Sequence, residues 1–217
     1  MNQKWIKTWT LKLHFVLLWI TLARDSLNTI SNMKTVLSIV ALALIIAFKA
    51  MAYEEANYQV VKTNELYEIR KYSDRLAVET STSNQNSGFR KLFNYISGDN
   101  QTNEEIKMTT PVTEMERKGN MTMQFYLPLK FDKNNVPIPS RPDVEIVNIE
   151  GGYFAVIVYS GRSSDKNFIK HKDILENELK KDDVSILGPP IKATYNGPFT
   201  LPMLRRNEVM FEVNIKT

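Results

Sequence analysis

The sequence repeats one order of predicted elements, and this repetition constrains its fold more than any single motif does. YEIRKYSDRLAVETST (67–82) and VEIVNIEGGYFAVIVYSG (144–161) both alternate apolar and polar residues around a short turn signal, which predicts a β-hairpin in each. A helix follows each hairpin, and a proline-marked strand start follows each helix, in IKMTTPVT (106–113) and in IKATYNGPFT (191–200). Because internal repetition indicates a repeated architecture, we interpret these segments as structural before we assign any chemistry to them.

Each predicted helix carries one apolar stripe. The stripe of the first helix recurs at i, i+3, i+4 and i+7 and consists of Phe89, Leu92, Phe93 and Ile96. The stripe of the second helix consists of Phe168, His171, Leu175 and Leu179. Gly98 is the predicted stop of the first helix, and Ser163 or Ser164 is the predicted N-cap of the second. The two units, at about 58–130 and 144–217, most simply pack as one curved antiparallel sheet or distorted barrel covered by both helices.

The segment MKTVLSIVALALIIAFKAMA (33–52) has the composition of a secretory signal peptide. It begins with Met-Lys, continues with an apolar run from Val36 to Phe48, and ends in an A-x-A pattern. The apolar run is too short for an ordinary membrane span of about 20 residues. We therefore expect cleavage after Ala52, an exported protein in the periplasm or the medium, and no stable membrane span after cleavage. The alternative is an uncleaved anchor.

Residues 1–32 contain a second short apolar run, from Leu11 to Ala23. Two consecutive targeting segments make little physical sense, so the simpler interpretation is that translation begins at Met33 and that residues 1–32 are a mis-assigned extension. A pair of short membrane segments is the alternative. In either case, residues 53–217 form the predicted functional domain.

The charge of the predicted mature chain differs from that of the whole sequence. The whole chain carries 28 Lys and Arg against 24 Asp and Glu. Six of the basic residues and one acidic residue precede Tyr53, which leaves 22 basic and 23 acidic residues and a net charge of −1. A nearly neutral domain gives no reason to expect nucleic acid as a partner. The sequence also contains no cysteine, so disulfides cannot stabilise the exported domain.

Few residues in the mature chain could perform catalysis or hold a metal. His171 is its one histidine, and an H-E-x-x-H, C-x-x-C, G-x-S-x-G, G-x-G-x-x-G or P-loop motif does not occur. A dedicated zinc site and a recognisable hydrolase or oxidoreductase site are therefore not expected. His171 stands beside apolar positions of its helix. A histidine at such a position is more often packed or partly exposed than a metal ligand or a catalytic base.

Four sequence blocks resemble the SOUL haem-binding protein family. They are YEIRKY (67–72), GFRKLFNYISGDN (88–100), IKMTTPVT (106–113) and YNGPFTLPMLRRNEV (195–209), and the resemblance extends over about 58–213. It implies an α+β fold in which two β-α-β-β-type pseudo-repeats form a distorted eight-stranded antiparallel barrel flanked by two helices. It also implies a protein that binds haem or a related tetrapyrrole without being an enzyme.

The resemblance implies a binding site against the first helix and its neighbouring loops, with mainly apolar contacts. The expected ligand-binding residues are Phe89, Phe93, Ile96, Met108, Arg90, Tyr195, Arg205 and Arg206. Phenylalanine and methionine side chains suit a flat apolar disc, although Phe, Leu and Ile at helical spacing are also typical of a core. The pair Arg205-Arg206 has two interpretations: it meets carboxylates of a ligand, or it holds its own loop in place.

The position of the family's proposed axial histidine is occupied here by Lys71. A protonated lysine cannot ligate iron, so axial ligation is not expected, and haem would be held loosely and largely by apolar contact. Other residues that could approach the iron are Tyr72, Tyr195, Met108 and His171.

Two further classes of function stay open. One is an effector-type binding module for another apolar or cationic small molecule, which inward-pointing carboxylates such as Glu68 or Glu79 would favour. The other is an enzyme that modifies a tetrapyrrole or a lipid, which would need a buried acid or base with a perturbed pKa.

Overall fold

A computed structural model describes residues 53–82, 85–117 and 119–215. The predicted signal peptide (33–52) and the extension before it (1–32) lie outside the described residues. Residues 53–217 form one compact unit, and all its apolar clusters are built from residues between 67 and 215 together with a few partners near the start of the unit. This part of the chain therefore has a complete core of its own.

The described residues form twelve strands, two helices and one short 3-10 helix. The strands are β1 (Glu54–Glu55), β2 (Tyr58–Thr63), β3 (Glu68–Tyr72), β4 (Arg75–Thr82), β5 (Thr109–Thr110), β6 (Val112–Arg117), β7 (Asn120–Tyr126), β8 (Glu145–Ile149), β9 (Gly152–Tyr159), β10 (Ser185–Ile186), β11 (Ile191–Thr194) and β12 (Asn207–Asn214). The helices are α1 (Gln85–Ile96) and α2 (Asp165–Lys181), and the 3-10 helix is Pro202–Leu204. No helix within the described residues is long and apolar enough to cross a membrane.

Ten of the strands form one curled antiparallel sheet in the order β2-β3-β9-β12-β11-β6-β7-β4-β8, with β10 paired to β12. The predicted α+β fold with a distorted barrel is confirmed. The sheet is larger than the eight strands expected, because β2 extends one edge and the two-residue β10 adds to β12. Eight of these strands form two sets of four, which are β3, β4, β6 and β7 in the first half of the domain and β8, β9, β11 and β12 in the second. If each strand is replaced by its counterpart in the other set, the strand order read from one edge of the sheet equals the order read from the opposite edge.

The two predicted hairpins are wrong, because each exchanges its strands with the other. β3 pairs with β9, and β4 pairs with β8, instead of β3 with β4 and β8 with β9. The two short connections contact each other where the strands cross: Asp74 Oδ1 accepts the backbone N–H of Gly151 at 2.8 Å. A Cβ atom at residue 151 would lie 2.5 Å from the carbonyl oxygen of Tyr72, so only glycine fits there.

The ends of the helices follow from their sequences. Ser164 is the N-cap of α2, and its side chain accepts the backbone N–H of Asn167 at 3.3 Å, which satisfies one of the unpaired donors of the first turn. Gly98 follows α1 with a φ of +109°, a conformation that glycine adopts without strain. Both predictions for the helix ends are therefore confirmed.

The buried face of α1 is rotated from the predicted apolar stripe. Leu92 and Ile96 are buried in a cluster with residues of β4 and β7, as expected of a core stripe. Phe89 and Phe93, in contrast, are 41% and 48% exposed. The cause is that Gly88 and Tyr95 are also buried, so the buried face is centred on their side of the helix and leaves the two phenylalanines at its edge.

Candidate functional site

A cleft of about 440 Å³ lies between α1, strands β6, β7 and β11, and the loop that follows β11. We call it the α1 cleft. Its volume falls within the range of about 300–1,000 Å³ that is usual for small-molecule sites. Its lining includes five residues of the expected binding set, namely Phe89, Phe93, Met108, Tyr195 and Arg205.

The apolar wall of the α1 cleft is an aromatic pair on α1. The rings of Phe89 and Phe93 are stacked, with their centroids 6.0 Å apart and their planes 14° from parallel. The ring of Phe89 also meets the edge of Phe125, a fully buried residue of β7, at 5.2 Å. This contact anchors the ring of Phe89, and α1 presents two stacked and partly exposed rings to the cleft.

The loop wall of the cleft is held by Arg205. Its Nε and Nη2 donate hydrogen bonds to the carbonyl oxygens of Thr200 and Pro198, at 2.7 and 2.6 Å. The guanidinium therefore fixes its own loop, and it also lines the cleft beside Pro198 and Gly197. Both interpretations of Arg205 are compatible with this position.

Tyr195 links the cleft to a buried carboxylate. Its side chain lines the cleft, and its hydroxyl donates a hydrogen bond to Glu208 Oε2 at 2.8 Å. Burial, and then the charge of Glu208, hold the pKa of Tyr195 far above its usual value. A tyrosinate that could ligate iron is therefore strongly disfavoured at this position.

Arg206 is partly buried and is bonded to other side chains of the protein. Its Nε and Nη2 donate to Glu208 Oε1 at 2.9 and 2.7 Å, its Nη1 lies 2.9 Å from Glu55 Oε2, and its guanidinium covers the ring of Tyr195 at 3.8 Å. Burial alone would lower the pKa of Arg206, but the charge of Glu208 and the other partners raise it. These contacts agree with the interpretation in which Arg206 holds its own loop in place. Arg206 is not among the residues that line the α1 cleft.

The structure does not bring the other expected site residues into the cleft. Ile96 is buried in the core below α1, and Arg90 is exposed on α1 one position after Phe89 without lining the cleft. Lys71 is exposed on β3, with its ammonium group 5.6 Å from the ring of Tyr153. Lys71 occupies the position of the family's proposed axial histidine. It therefore lies on a different strand of the sheet from those that line the α1 cleft.

Two of the other candidate iron ligands also lie elsewhere. The ring of His171 is stacked on Tyr159 at 4.1 Å, and its Nδ1 lies 2.8 Å from the carbonyl oxygen of Asn167. Tyr72 is buried, and the centroid of its ring lies 5.6 Å from that of Phe154. Among the described residues there is no group of three or more His, Cys, Asp or Glu side chains that could hold a metal ion.

Residues 53–212 match the model of the SOUL heme-binding protein family. The chain belongs to the SOUL family. Heme-binding protein 2 of Homo sapiens is 31% identical to this SOUL protein over 160 residues, which cover 66% of this chain and 76% of that relative. The family predicted from the four sequence blocks is therefore confirmed.

Solved structures extend the likeness at the level of the fold alone. The C-terminal domain of EcmrR has a TM-score of 0.52 and 13% identity to this chain, and the match covers 72% of this chain and 98% of that domain. A hydrolase encoded by lin2189 from Listeria innocua has a TM-score of 0.51 and 8% identity, and the match covers 71% of this chain and 94% of that one. At these identities, the activity of neither neighbour carries over to the SOUL domain.

Sequence reasoning missed several residues that line the α1 cleft of this SOUL domain. Glu114 is the main one: it is almost fully buried, and its Oε1 accepts a hydrogen bond from Gln85 Nε2 at 2.6 Å. The register of β6 and β7 places Glu114 opposite Met123, which also lines the cleft. The alternation of β6 could have identified the side chains on the face of Val112 and Glu114, but only once β6 was known to cross beneath α1.

A second cleft of the SOUL domain, of about 590 Å³, lies between the start of α2, the turn that joins β6 to β7, and β11. We call it the α2 cleft. Glu114 lines both clefts, and its Oε2 lies 3.8 Å from the ammonium group of the buried Lys192. On α2, the residues that line this cleft include Ile169, an exposed apolar side chain. The α2 cleft has no stacked pair of aromatic rings that corresponds to Phe89 and Phe93 among the residues that line it.

Proposed function

We propose that this SOUL protein binds haem or a related tetrapyrrole in the α1 cleft, mainly through apolar contacts and without catalysing a reaction on it. Membership of the SOUL heme-binding family supports the class of ligand. The observation that carries the location is the stacked pair of Phe89 and Phe93, which is anchored on Phe125 and left about half exposed.

The free energy available from this surface is moderate. Complete burial of a phenylalanine side chain is worth about 1.5–3 kcal/mol, so covering the exposed halves of two rings supplies about that amount in total. Met108, which also lines the cleft, adds a polarizable thioether that adapts to a flat aromatic ligand. Binding through such contacts is expected to be reversible and to depend little on the metal.

The polar groups of a porphyrin also have partners near the cleft. Arg205 lines the cleft and Arg90 stands beside the aromatic pair, so a guanidinium from either could meet a propionate group. Haem iron takes up axial ligands when it is bound, and Met108 is the side chain of the expected set that could reach it from the cleft wall. Lys71 and His171 lie outside the cleft, which supports loose rather than tight ligation.

A cationic ligand is less well supported, because the candidate carboxylates already have partners. Glu68 Oε2 accepts from Arg70 at 2.8 Å, and Glu79 Oε2 lies 2.5 Å from Gln124 Nε2 and 3.2 Å from Arg117 Nη1. Neither carboxylate lines the α1 cleft, so an organic cation bound there would not meet them. The carboxylates that were expected to favour a cation therefore do not favour it over a tetrapyrrole.

We also propose that the SOUL domain acts after export, and that residues 33–52 direct this export and are removed. The composition of that segment supports the proposal. N-terminal sequencing of the protein recovered from the periplasm or the medium is expected to begin at Tyr53. A protein that is recovered only from the membrane fraction with residues 33–52 still attached would overturn the cleavage.

The binding proposal is tested by titrating residues 53–217 with hemin and, in parallel, with metal-free protoporphyrin, each followed by its Soret absorbance. We expect saturation at one molecule per domain for both ligands, with affinities within about tenfold of each other because axial ligation contributes little. Linear uptake without saturation would contradict binding at a defined site. Mass spectrometry of the recovered porphyrin, after incubation with a reductant and oxygen, is expected to show it unchanged. A cleaved or modified porphyrin would contradict the non-enzymatic role.

A further inference from the structure

The loop between β11 and β12 exposes an unusual amount of apolar surface. Phe199 is 99% exposed and Met203 is 74% exposed, and Leu201 and Leu204 are also largely exposed. Four large apolar side chains within six residues exceed the scattered single exposures that are normal for a protein surface. We call this segment (residues 197–204) the apolar loop.

The exposure of the apolar loop is built into its structure. Arg205 donates to two of its carbonyl oxygens, those of Pro198 and Thr200. The backbone N–H of Gly161 donates to the carbonyl oxygen of Pro202 at 2.8 Å, which ties the loop to the segment before α2. Three carbonyl oxygens of the loop are therefore bonded to groups of the protein itself, while the apolar side chains stay exposed.

The surroundings of the apolar loop indicate what it contacts. Arg162, which follows the tied Gly161, is exposed, and Arg205 holds the loop through carbonyl oxygens, which leave its positive charge unneutralised. Arg206 does not add to this charge, because it pairs with Glu55 and Glu208, and the charge of Asp165 is met by Lys192. An apolar tip with basic residues at its base is complementary to an anionic lipid surface.

The start of the domain lies on the same side as the apolar loop. Tyr53 lines the α1 cleft together with Gly197 and Pro198, the first two residues of the loop. Tyr53 therefore begins the described domain beside the base of the apolar loop.

We infer that the apolar loop is a membrane-docking element, whose four apolar side chains insert into the interface of a lipid bilayer. A protruding tip suits insertion between lipid headgroups, whereas a protein partner is usually met by a broader surface. Because Gly197, Pro198 and Arg205 also form a wall of the α1 cleft, docking places that cleft next to the bilayer. The inference does not depend on the proposed binding of haem.

The test measures the partition of residues 53–217 onto vesicles of phosphatidylcholine mixed with phosphatidylglycerol, by co-sedimentation. The loop variant is Phe199→Ser with Met203→Ser, and the matched control is Ile138→Ser with Leu187→Ser, two largely exposed apolar side chains outside the loop. The loop variant is expected to partition about a hundredfold more weakly, roughly tenfold for each apolar side chain withdrawn from the interface. The control is expected to partition as the wild type does.

Three results would overturn the inference. They are a wild-type domain that does not sediment with the vesicles, a loop variant that partitions as the control does, and a loop variant that loses hemin binding while its partition is unchanged. The last result would mean that the loop covers a ligand in the cleft. Circular dichroism and urea unfolding of each variant establish that a lower partition does not come from unfolding.

Discussion

Arg70 Nη1 lies 3.0 Å from Glu208 Oε1, although the two residues are 138 positions apart and both side chains are almost fully buried. They come from β3 and β12, the strands on either side of β9. Glu208 also accepts hydrogen bonds from Arg206 and Tyr195. The buried carboxylate is therefore compensated by two guanidinium groups, and it holds Tyr195, a wall of the α1 cleft, in place.

Replacing Glu208 by glutamine is expected to lower the free energy of unfolding by about 3 kcal/mol. The change removes the charge that compensates Arg70 and Arg206, and breaking a buried ion pair on one side typically costs about 3–5 kcal/mol. Glu68 and Glu55 still pair with these arginines, which places the expected cost at the lower end. Urea unfolding at neutral pH measures it.

The matched control for this change is Glu212→Gln, an exposed position on the same strand. Its effect is expected to stay within about 0.5 kcal/mol, as for most surface substitutions. Equal losses in the two variants would contradict the role assigned to the buried network.

The stability of the domain is expected to fall at alkaline pH. Burial, and then the charge of Glu114, raise the pKa of Tyr159 from 10.0 to about 12, and burial raises the pKa of Tyr72 to about 12 as well. The folded state therefore holds these protons more tightly than the unfolded state does. This contribution is fully present below pH 10 and is lost as the pH rises through 12.

Tyr159→Phe tests this pH dependence. The hydroxyl of Tyr159 is buried without a hydrogen-bond partner among the described residues, so its removal is expected to raise the free energy of unfolding by about 1 kcal/mol at neutral pH. The decline between pH 10 and pH 12 is expected to become shallower. The exposed Tyr53→Phe serves as the control. An unchanged pH profile in Tyr159→Phe would show that Tyr159 does not contribute.

The two faces of α1 are expected to respond differently to truncation. Leu92→Ala opens a cavity in the core and should cost about 2–5 kcal/mol of unfolding free energy. Phe93→Ala should cost less than about 1.5 kcal/mol, because half of that side chain is already exposed, and it should weaken hemin binding instead. Thermal unfolding and Soret titration of both variants separate the two effects. A loss of hemin affinity in folded Leu92→Ala as large as that in Phe93→Ala would contradict the division.

Lys71→His is expected to leave the spectrum of bound hemin unchanged. Position 71 is exposed on β3 and does not line the α1 cleft, so a histidine there cannot reach iron that is held beside α1. Absorbance spectroscopy of the ferric and ferrous complexes is the measurement. A shift to a low-spin, six-coordinate spectrum in Lys71→His would place the iron beside β3 and contradict the proposed site.

Patterns in the sequence predicted correctly the structural features that depend on residues close together in the chain. The apolar spacing and the end residues of α1 and α2 identified both helices, because helical periodicity and capping act over a few positions. The blocks of family-like sequence indicated the SOUL family and hence the curled sheet. They also included five residues that line the α1 cleft.

Long-range pairing could not be predicted from these patterns. Strand alternation shows which side chains share a face but not which strand is the neighbour, so the exchange of β3 and β8 between the halves was missed. The same limit applies to Arg70, since nothing in YEIRKY indicates a carboxylate 138 positions away. Phe89 and Phe93 are exposed because Gly88 and Tyr95 are buried in their place. The apolar spacing alone places the two phenylalanines, and not Gly88 and Tyr95, on the buried face.

The central claim is that the aromatic pair on α1 forms the tetrapyrrole site. It is tested most directly by hemin titration of residues 53–217 as wild type, as Phe89→Asp and as Ile169→Asp. Ile169 is the matched control, because it is an apolar side chain about half exposed on the other helix and lines the α2 cleft. We predict that Phe89→Asp weakens binding at least about tenfold, since a carboxylate replaces the apolar contact. Ile169→Asp should bind as the wild type does. Unchanged binding in Phe89→Asp, or a loss confined to Ile169→Asp, would contradict the claim.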